Sequence, residues 1–482
     1  MALGLLLLTC VRGDVMELGQ ETQFLEFYEL CKSVEAAFDR EWRNSEEWER
    51  EEKLIKEKRA IMGYEEECQF YKDKIRTFLE IILNDKKVYY PPWYMNLEEG
   101  IFAELYGFAG LSPWIYDQTE EYKESSSAKL IGDRLYCLIN GKSKLQPQRI
   151  GSERRNQLKR ALLMATPEER IEKGFHEIYL HNGIRISIFS GEKTKENEDI
   201  MVFRKYLLKE LTLEKLVELG TIPADSVELF KIMIKLGFNV IFAGQVRTGK
   251  TSFMQCWQRY EDPTLEGMSI ATDPETPWHK IMPDAPIMQI TADGRELLPV
   301  SKALLRGDND YILLEEMRDA HAYKLALDIT SIGATRSKAT IHAGDANDIP
   351  YKMATAILAE FGGDYKGILC QIFKNWHFVF EFFQDHEDRS KKKLKSISEY
   401  RYNIHKDLVS IHTICKYDFE SRKWKWKWDI GEDKVNMSKI MPEDFKKMKN
   451  MVKMLESRNP IMENTVVYPR YYKSEGEYKD VR

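Results

Sequence analysis

Residues 239–257 read NVIFAGQVRTGKTSFMQCW, and they restrict the possible folds of this chain more than any other stretch. An apolar run is followed by Gly-x-x-x-x-Gly-Lys-Thr, formed by Gly244, Gly249, Lys250 and Thr251. A helical pattern comes next, with Phe253 and Trp257 on one side. A strand, a glycine-bracketed turn and a helix in that order form a phosphate-binding loop. The glycines let main-chain N–H groups approach phosphate oxygens, and the helix N-terminus adds the positive end of its dipole. Gln245, Val246, Arg247, Thr248 and Ser252 complete the expected cradle. Lys250 is expected to reach the β- and γ-phosphates, and Thr251 to be the Mg²⁺ ligand. ATP and Mg²⁺ are the cofactors this loop predicts.

The rest of the segment 207–390 alternates helix and strand signals. TLEKLVELG opens on Thr212 as an N-cap with a capping-box Glu, and VELFKIMIKLG reads as a helix ending at Gly237. DYILLEE and ATIHAG read as further buried strands. Nearly continuous apolar strands alternating with helices imply a mostly parallel sheet covered on both faces. Ligands sit at the carboxyl ends of such strands. There the sequence offers Glu315 and Glu316 in NDYILLEEMRD, Asp273 and Glu275 in ATDPETPW, and His342 in SKATIHAGD. A carboxylate at that edge can orient water or meet Mg²⁺ through water.

The outer regions differ. Residues 1–94 are read as a helical N-terminal extension. Residues 16 to about 90 have almost no Gly or Pro, with apolar positions such as Phe24, Phe27, Tyr28 and Cys31 at helical spacing. The charged run 46–59 is expected to be a solvated helix face, and Pro91–Pro92 ends the region. The apolar stretch ALGLLLLTCV at 2–11 lacks a preceding basic residue and a cleavage site, so it is read as a first helix or as sequence before a true start at Met16. Residues 95–206 are expected to form a small α+β domain: a helix over 97–106, strands at RLYCLI and IRISIF, and an exposed connection at SGEKTKENED. Residues 391–482 are expected to be a β-rich extension and tail. There Lys423, Lys425 and Lys427 alternate with Trp424, Trp426 and Trp428, which predicts a strand with tryptophan inward and lysine in water.

The net charge of −6 argues against a dedicated nucleic-acid partner. Seven scattered cysteines without a C-x-x-C pair fit a reduced chain without structural zinc.

In the order Lys250 loop, TDPE, LLEEMRD and ATIHAGD, the chain resembles the type II/type IV secretion ATPase superfamily. Upstream, IFAELYGFAGLSPWIYD and HNGIRISIF resemble the N-terminal domain of the Tad/Flp pilus (CpaF-like) branch, and VFRKYLLKELTLEKLVELGTI its bridge into the motor. RSKKKLKSISEY resembles the strands after the motor core, so the likeness covers about residues 98 to 400. The resemblance implies an α/β fold: a RecA-like P-loop domain over 207–390, preceded by the small α+β domain over 95–206. It makes Glu316 the glutamate that polarises the attacking water and Arg318 the arginine that follows it. Asp273 and Glu275 become the acidic box near Mg²⁺, and His342 the histidine on the γ-phosphate side. Arg185 and Arg204 become arginines that close over the nucleotide. Three positions depart from the family pattern. Arg247 and Glu315 stand where glycine is usual, and Thr272 where Glu is usual.

The function expected on this resemblance is a cytoplasmic ATPase, peripheral at the inner face of the membrane, that powers pilus or secretion-apparatus assembly. Its expected partners are copies of itself in a homohexamer and an integral membrane platform protein. A conjugation or type IV secretion motor, and a nucleotide-binding scaffold with little hydrolysis, are the alternatives.

Overall fold

The computed structural model describes residues 24–43, 47–84, 86–165, 174–205, 211–272, 276–292, 294–297, 299, 309–331, 333–437 and 441–469. Residues 2–11, Asp273 and Glu275 lie outside these. The chain divides into two compact units, residues 1–208 and 209–482.

In the first unit, helices α1 (Leu25–Arg43), α2 (Glu47–Ile61), α3 (Glu65–Leu83) and α4 (Leu97–Leu105) realise the expected helical region. Phe27, Val34 and Phe38 recur at helical spacing and bury one stripe of α1 against Tyr71 and Ile75 of α3 and Ile101 and Phe102 of α4. The charged run on α2 is largely exposed, as its composition requires. The Asn96 side chain accepts a bond from the Glu99 N–H at 2.8 Å, which fixes the start of α4.

Six antiparallel strands follow: β1 (Ser127–Ile131), β2 (Arg134–Ile139), β3 (Lys142–Arg149), β4 (Phe175–Tyr179), β5 (Arg185–Phe189) and β6 (Ile200–Arg204). Their order across the sheet is β3-β2-β1-β6-β5-β4. RLYCLI on β2 alternates buried and half-buried, as a sheet with one covered face demands. Helix α5 (Ser152–Ala165) buries Leu158 and Leu162 in the same core.

The second unit is built on one long sheet. In chain order its first elements are α6 (Leu213–Glu218), α7 (Val227–Lys235), β7 (Val240–Gly244), α8 (Lys250–Gln258), β8 (Gly267–Ala271), α9 (Trp278–Ile281) and β9 (Ile287–Thr291). After them come β10 (Tyr311–Met317), α10 (Ala320–Ser331), β11 (Lys338–His342), α11 (Ile349–Phe361), α12 (Tyr365–Asn375) and β12 (Phe378–Gln384). Strands β13 (Lys392–Asn403), β14 (Leu408–Asp418) and β15 (Lys423–Trp426) follow, then α13 (Glu432–Met437), α14 (Pro442–Arg458) and a short strand, β16 (Val466–Val467), that pairs with β14.

The strand order is β15-β14-β13-β12-β7-β11-β10-β8-β9. From β12 to β9 neighbouring strands are parallel, whereas β12–β13, β13–β14 and β14–β15 are antiparallel. β7 and β8 are buried at every position, because helices cover both faces. One strand, β11, separates the loop strand β7 from the acid-bearing β10. This is the arrangement of a RecA-like α/β fold.

Three local expectations change. Thr212 caps α6 by accepting from the Lys215 N–H at 3.1 Å, but the third residue after it is lysine, so no reciprocal box closes. The nearby Glu214 instead accepts bonds from Lys231 at 2.9 Å and the Tyr260 hydroxyl at 2.7 Å. The tryptophan-lysine run forms a strand only over Lys423–Trp426. Its polarity is as expected: Trp426 is buried, Trp424 and Trp428 pack on the core, and Lys423 is exposed. The region after β13 is also not all strand. α14 places Phe445, Met448, Val452 and Leu455 on one face, and the last three join Trp426 in the core. No described helix is long and apolar enough to cross a membrane.

Candidate functional site

The loop after β7 is shaped by what surrounds it. Gly244 has φ +147°, and a Cβ there would lie 2.4 Å from the Phe382 carbonyl oxygen of β12 and 2.7 Å from Thr248 Oγ1. Only glycine fits. Thr248 Oγ1 donates to the Gln245 carbonyl at 2.9 Å and closes the turn. Arg247 adopts φ +66°, a left-handed conformation, and Gly249 has φ +87°. An arginine here thus holds a left-handed backbone that glycine adopts more readily. Thr251 and Ser252 lie in the first turn of α8, both half-buried. Loop and helix together present the main-chain donors and dipole end that a phosphate group requires.

Lys250 turns back on its own loop. Its Nζ donates to the Gln245 carbonyl at 2.8 Å and lies 3.1 Å from His342 Nδ1. The residue is only 5% exposed, and burial lowers its pKa to about 8 against the opposing pull of Glu316. Strand register explains the neighbour: His342 pairs with Gly244 across β11 and β7, so the histidine reaches the loop's own edge.

From His342 the contacts continue to β10. His342 Nε2 lies 2.9 Å from Glu316 Oε1, and Arg318 lies 2.7 Å from Glu316 Oε2. Burial raises the Glu316 pKa, but the bonds from His342 and Arg318 outweigh it and hold the carboxyl at about 2. Glu316 is therefore a carboxylate at neutral pH. A cavity of about 100 Å³, lined among others by Thr272, Leu314, Glu316, Arg318 and Asp319, adjoins it. That is room for a few waters.

The structure thus brings Lys250, His342, Glu316 and Arg318 into one connected group. Glu315 is not in it. Its Oε1 accepts from Ser269 Oγ at 2.8 Å and Trp278 Nε1 at 3.0 Å, in a buried setting toward β8 and α9. The residues flanking 273–275 are held on the C-terminal side, where Thr276 accepts from Gln255 at 3.0 Å and Gln289 at 2.7 Å.

Arg185 and Arg204 belong to the first unit. They sit directly opposite each other on β5 and β6. Arg185 pairs with Glu177 at 2.5 Å, whereas Arg204 is exposed. Sequence reading missed two contributors. Phe382 presses its carbonyl on Gly244, and Lys392 packs its side chain 3.6 Å from where a Gly249 Cβ would stand. No motif marks either, because both act through long-range strand pairing.

Residues 191–369 match the family described as Type II/IV secretion system protein. An uncharacterized protein of Bacillus anthracis is 21% identical over 246 residues, which make up 50% of this chain and 53% of that protein. The chain thus spans about half the length of the curated relative it matches. Among solved structures, the ATPase DotB of Yersinia pseudotuberculosis is similar at 14% identity and a TM-score of 0.47, covering 76% of this chain and 89% of that one. The VirB11 ATPase from the Brucella suis type IV secretion system, in complex with sulphate, is similar at 18% identity and a TM-score of 0.32, covering 60% and 91%.

Proposed function

We propose that this chain, which the match over residues 191–369 supports as a member of the type II/IV secretion ATPase superfamily, hydrolyses ATP to power assembly of a pilus or secretion apparatus. The observation that carries the reading is the contact chain from Lys250 through His342 to Glu316, set at the carboxyl ends of three neighbouring parallel strands. A phosphate arriving at the loop competes with the Gln245 carbonyl for Lys250, and freeing Lys250 alters the surroundings of His342. Glu316, ionised and beside a cavity with room for a few waters, is suited to orient an attacking water. Thr251 is the residue here to hold Mg²⁺ accompanying the nucleotide, which neutralises phosphate charge. Asp273 and Glu275 would add carboxylates beside it.

The finer parts of the proposal rest on the sequence motifs. They are the Tad/Flp type of role, a homohexameric ring, closure of Arg185 and Arg204 over the nucleotide, and work passed to a membrane platform protein at the inner face of the membrane. The contacts of His342 and Arg318 on the two Glu316 oxygens favour a second reading, a nucleotide-binding ring subunit with little turnover.

One experiment separates the two: Mg²⁺-dependent ATP hydrolysis by the purified chain beside Lys250→Ala and Glu316→Gln. A motor turns over, loses turnover and binding in Lys250→Ala, and keeps binding without turnover in Glu316→Gln. A wild type that binds ATP and never hydrolyses it excludes the motor.

A further inference from the structure

The pairing of β10 with β11 slips at the two glutamates. Leu314 pairs with Ala339 and Met317 with Ile341, so β10 advances three residues while β11 advances two. Glu315 and Glu316 together oppose the single residue Thr340. An extra residue in one strand bends it and re-aims the side chains beside it.

This bulge is held from two sides, and both grips are on Glu315. Toward β11, the Thr340 hydroxyl donates to the Glu315 carbonyl oxygen. Toward β8, the Glu315 carboxylate accepts from Ser269 and from Trp278, whose indole N–H also lies 2.9 Å from Ser269 Oγ. All four residues are buried: Thr340 is 1% exposed, Ser269 2%, Trp278 0% and Glu315 5%. The next peptide carries Glu316, whose carboxylate meets His342 at 2.9 Å.

We propose that Glu315 is a positioning residue for the hydrolytic site: its two-sided tether to Ser269, Trp278 and Thr340 holds the β10 bulge that aims Glu316 at His342. The inference rests on the proposed ATPase reading. It gives the extra carboxylate a task away from the nucleotide, because its oxygen is engaged within the sheet-helix interior. Where a glycine could reach such a backbone by its own freedom, this chain fixes the backbone with a bonded side chain.

The test compares Glu315→Ala, Glu315→Gln and Thr340→Val with wild type. Three readouts are taken: steady-state ATP hydrolysis, melting temperature and the imidazole NMR signals of His342, assigned with His342→Gln. Glu315→Ala and Thr340→Val are expected to lower kcat by about ten- to a hundredfold with KM for ATP nearly unchanged, the cost of a carboxylate misplaced by a fraction of an ångström. The His342 signals are expected to move in both. Glu315→Gln keeps an acceptor for Ser269 and Trp278 and is expected to restore most of kcat. The proposal is overturned if Glu315→Ala hydrolyses ATP like wild type, or if kcat, ATP affinity and melting temperature fall together while the His342 signals stay in place. If Glu315→Ala does not fold, Thr340→Val and Trp278→Phe carry the same comparison. If wild type itself shows no turnover, the motor reading fails. The NMR comparison then decides alone: moved His342 signals support the tether, and unmoved ones overturn it.

Discussion

Lys250 and Glu316 are bridged by one ring: His342 places Nδ1 3.1 Å from the ammonium and Nε2 2.9 Å from the carboxylate. The loop lysine and the strand-end glutamate therefore share an intermediary. On the proposed ATPase reading, a phosphate that displaces Lys250 would disturb the histidine that also contacts Glu316.

The Glu316 pKa is depressed from 4.5 to about 2 by its partners. A carboxyl lowered on folding contributes stability that is complete above its unfolded value and is lost as pH falls through the folded one. Thermal melts between pH 5 and pH 2 should thus show wild type losing more stability than Glu316→Gln. Equal losses in the two proteins would mean that the Glu316 contacts with His342 and Arg318 do not form in solution.

Lys250 has the same slope with pH but the opposite energetic role: its folded-state shift costs stability where that of Glu316 contributes it. Its pKa falls from 10.5 to about 8 because burial disfavours the charge. Between those values the unfolded chain binds the proton and the folded chain does not, so stability rises with pH. Below about pH 8 the cost of the buried charge is present in full. Lys250→Met should therefore melt higher than wild type at pH 7, by roughly 1 to 3 kcal/mol, with the difference fading toward pH 10. The same variant should lose ATP binding. A variant that melts lower than wild type at pH 7 contradicts this account.

Arg247 holds a left-handed backbone at φ +66°. Arg247→Gly should relieve strain of about 1 kcal/mol and raise the melting temperature. If the guanidinium meets a phosphate, the same change weakens ATP binding several-fold. Nucleotide titration decides: unchanged affinity means Arg247 touches no phosphate.

Away from the site, Glu261 serves two cations. Lys338 Nζ lies 2.6 Å from it, Arg336 is also bonded to it, and Lys338 and Glu261 are both almost fully buried. Glu261→Gln leaves both cations without their carboxylate and should cost about 3 to 5 kcal/mol in urea unfolding. A loss below about 1 kcal/mol would show that water reaches the group.

The sequence made the loop, the parallel strands and the carboxyl-edge residues legible because each is written locally. Lys250 could be named from the loop motif, His342 from its strand-end position and Glu316 only through the family resemblance, and the structure joins them. Glu315 could not be separated from Glu316 without that resemblance. Adjacent acids at a strand end look alike by position, and in the structure the β10 bulge and the Ser269–Trp278 pocket divide them. The tryptophan face of 423–428 was readable from its period of two, but the strand's end at Trp426 was not. There the main chain turns to non-local bonds: the Trp426 N–H donates to the Asn459 carbonyl at 2.7 Å, and its carbonyl accepts from Ile461 at 2.9 Å.

The strand beside the phosphate loop is also the first strand of the antiparallel ribbon. β12 presses the Phe382 carbonyl against Gly244, pairs with β7 on one edge and with β13 on the other, and leads on to β14 and β15. Loop and ribbon are therefore connected mechanically in series. Main-chain pairing links the loop strand at Gly244, through a single intervening strand, to the antiparallel residues 392–426.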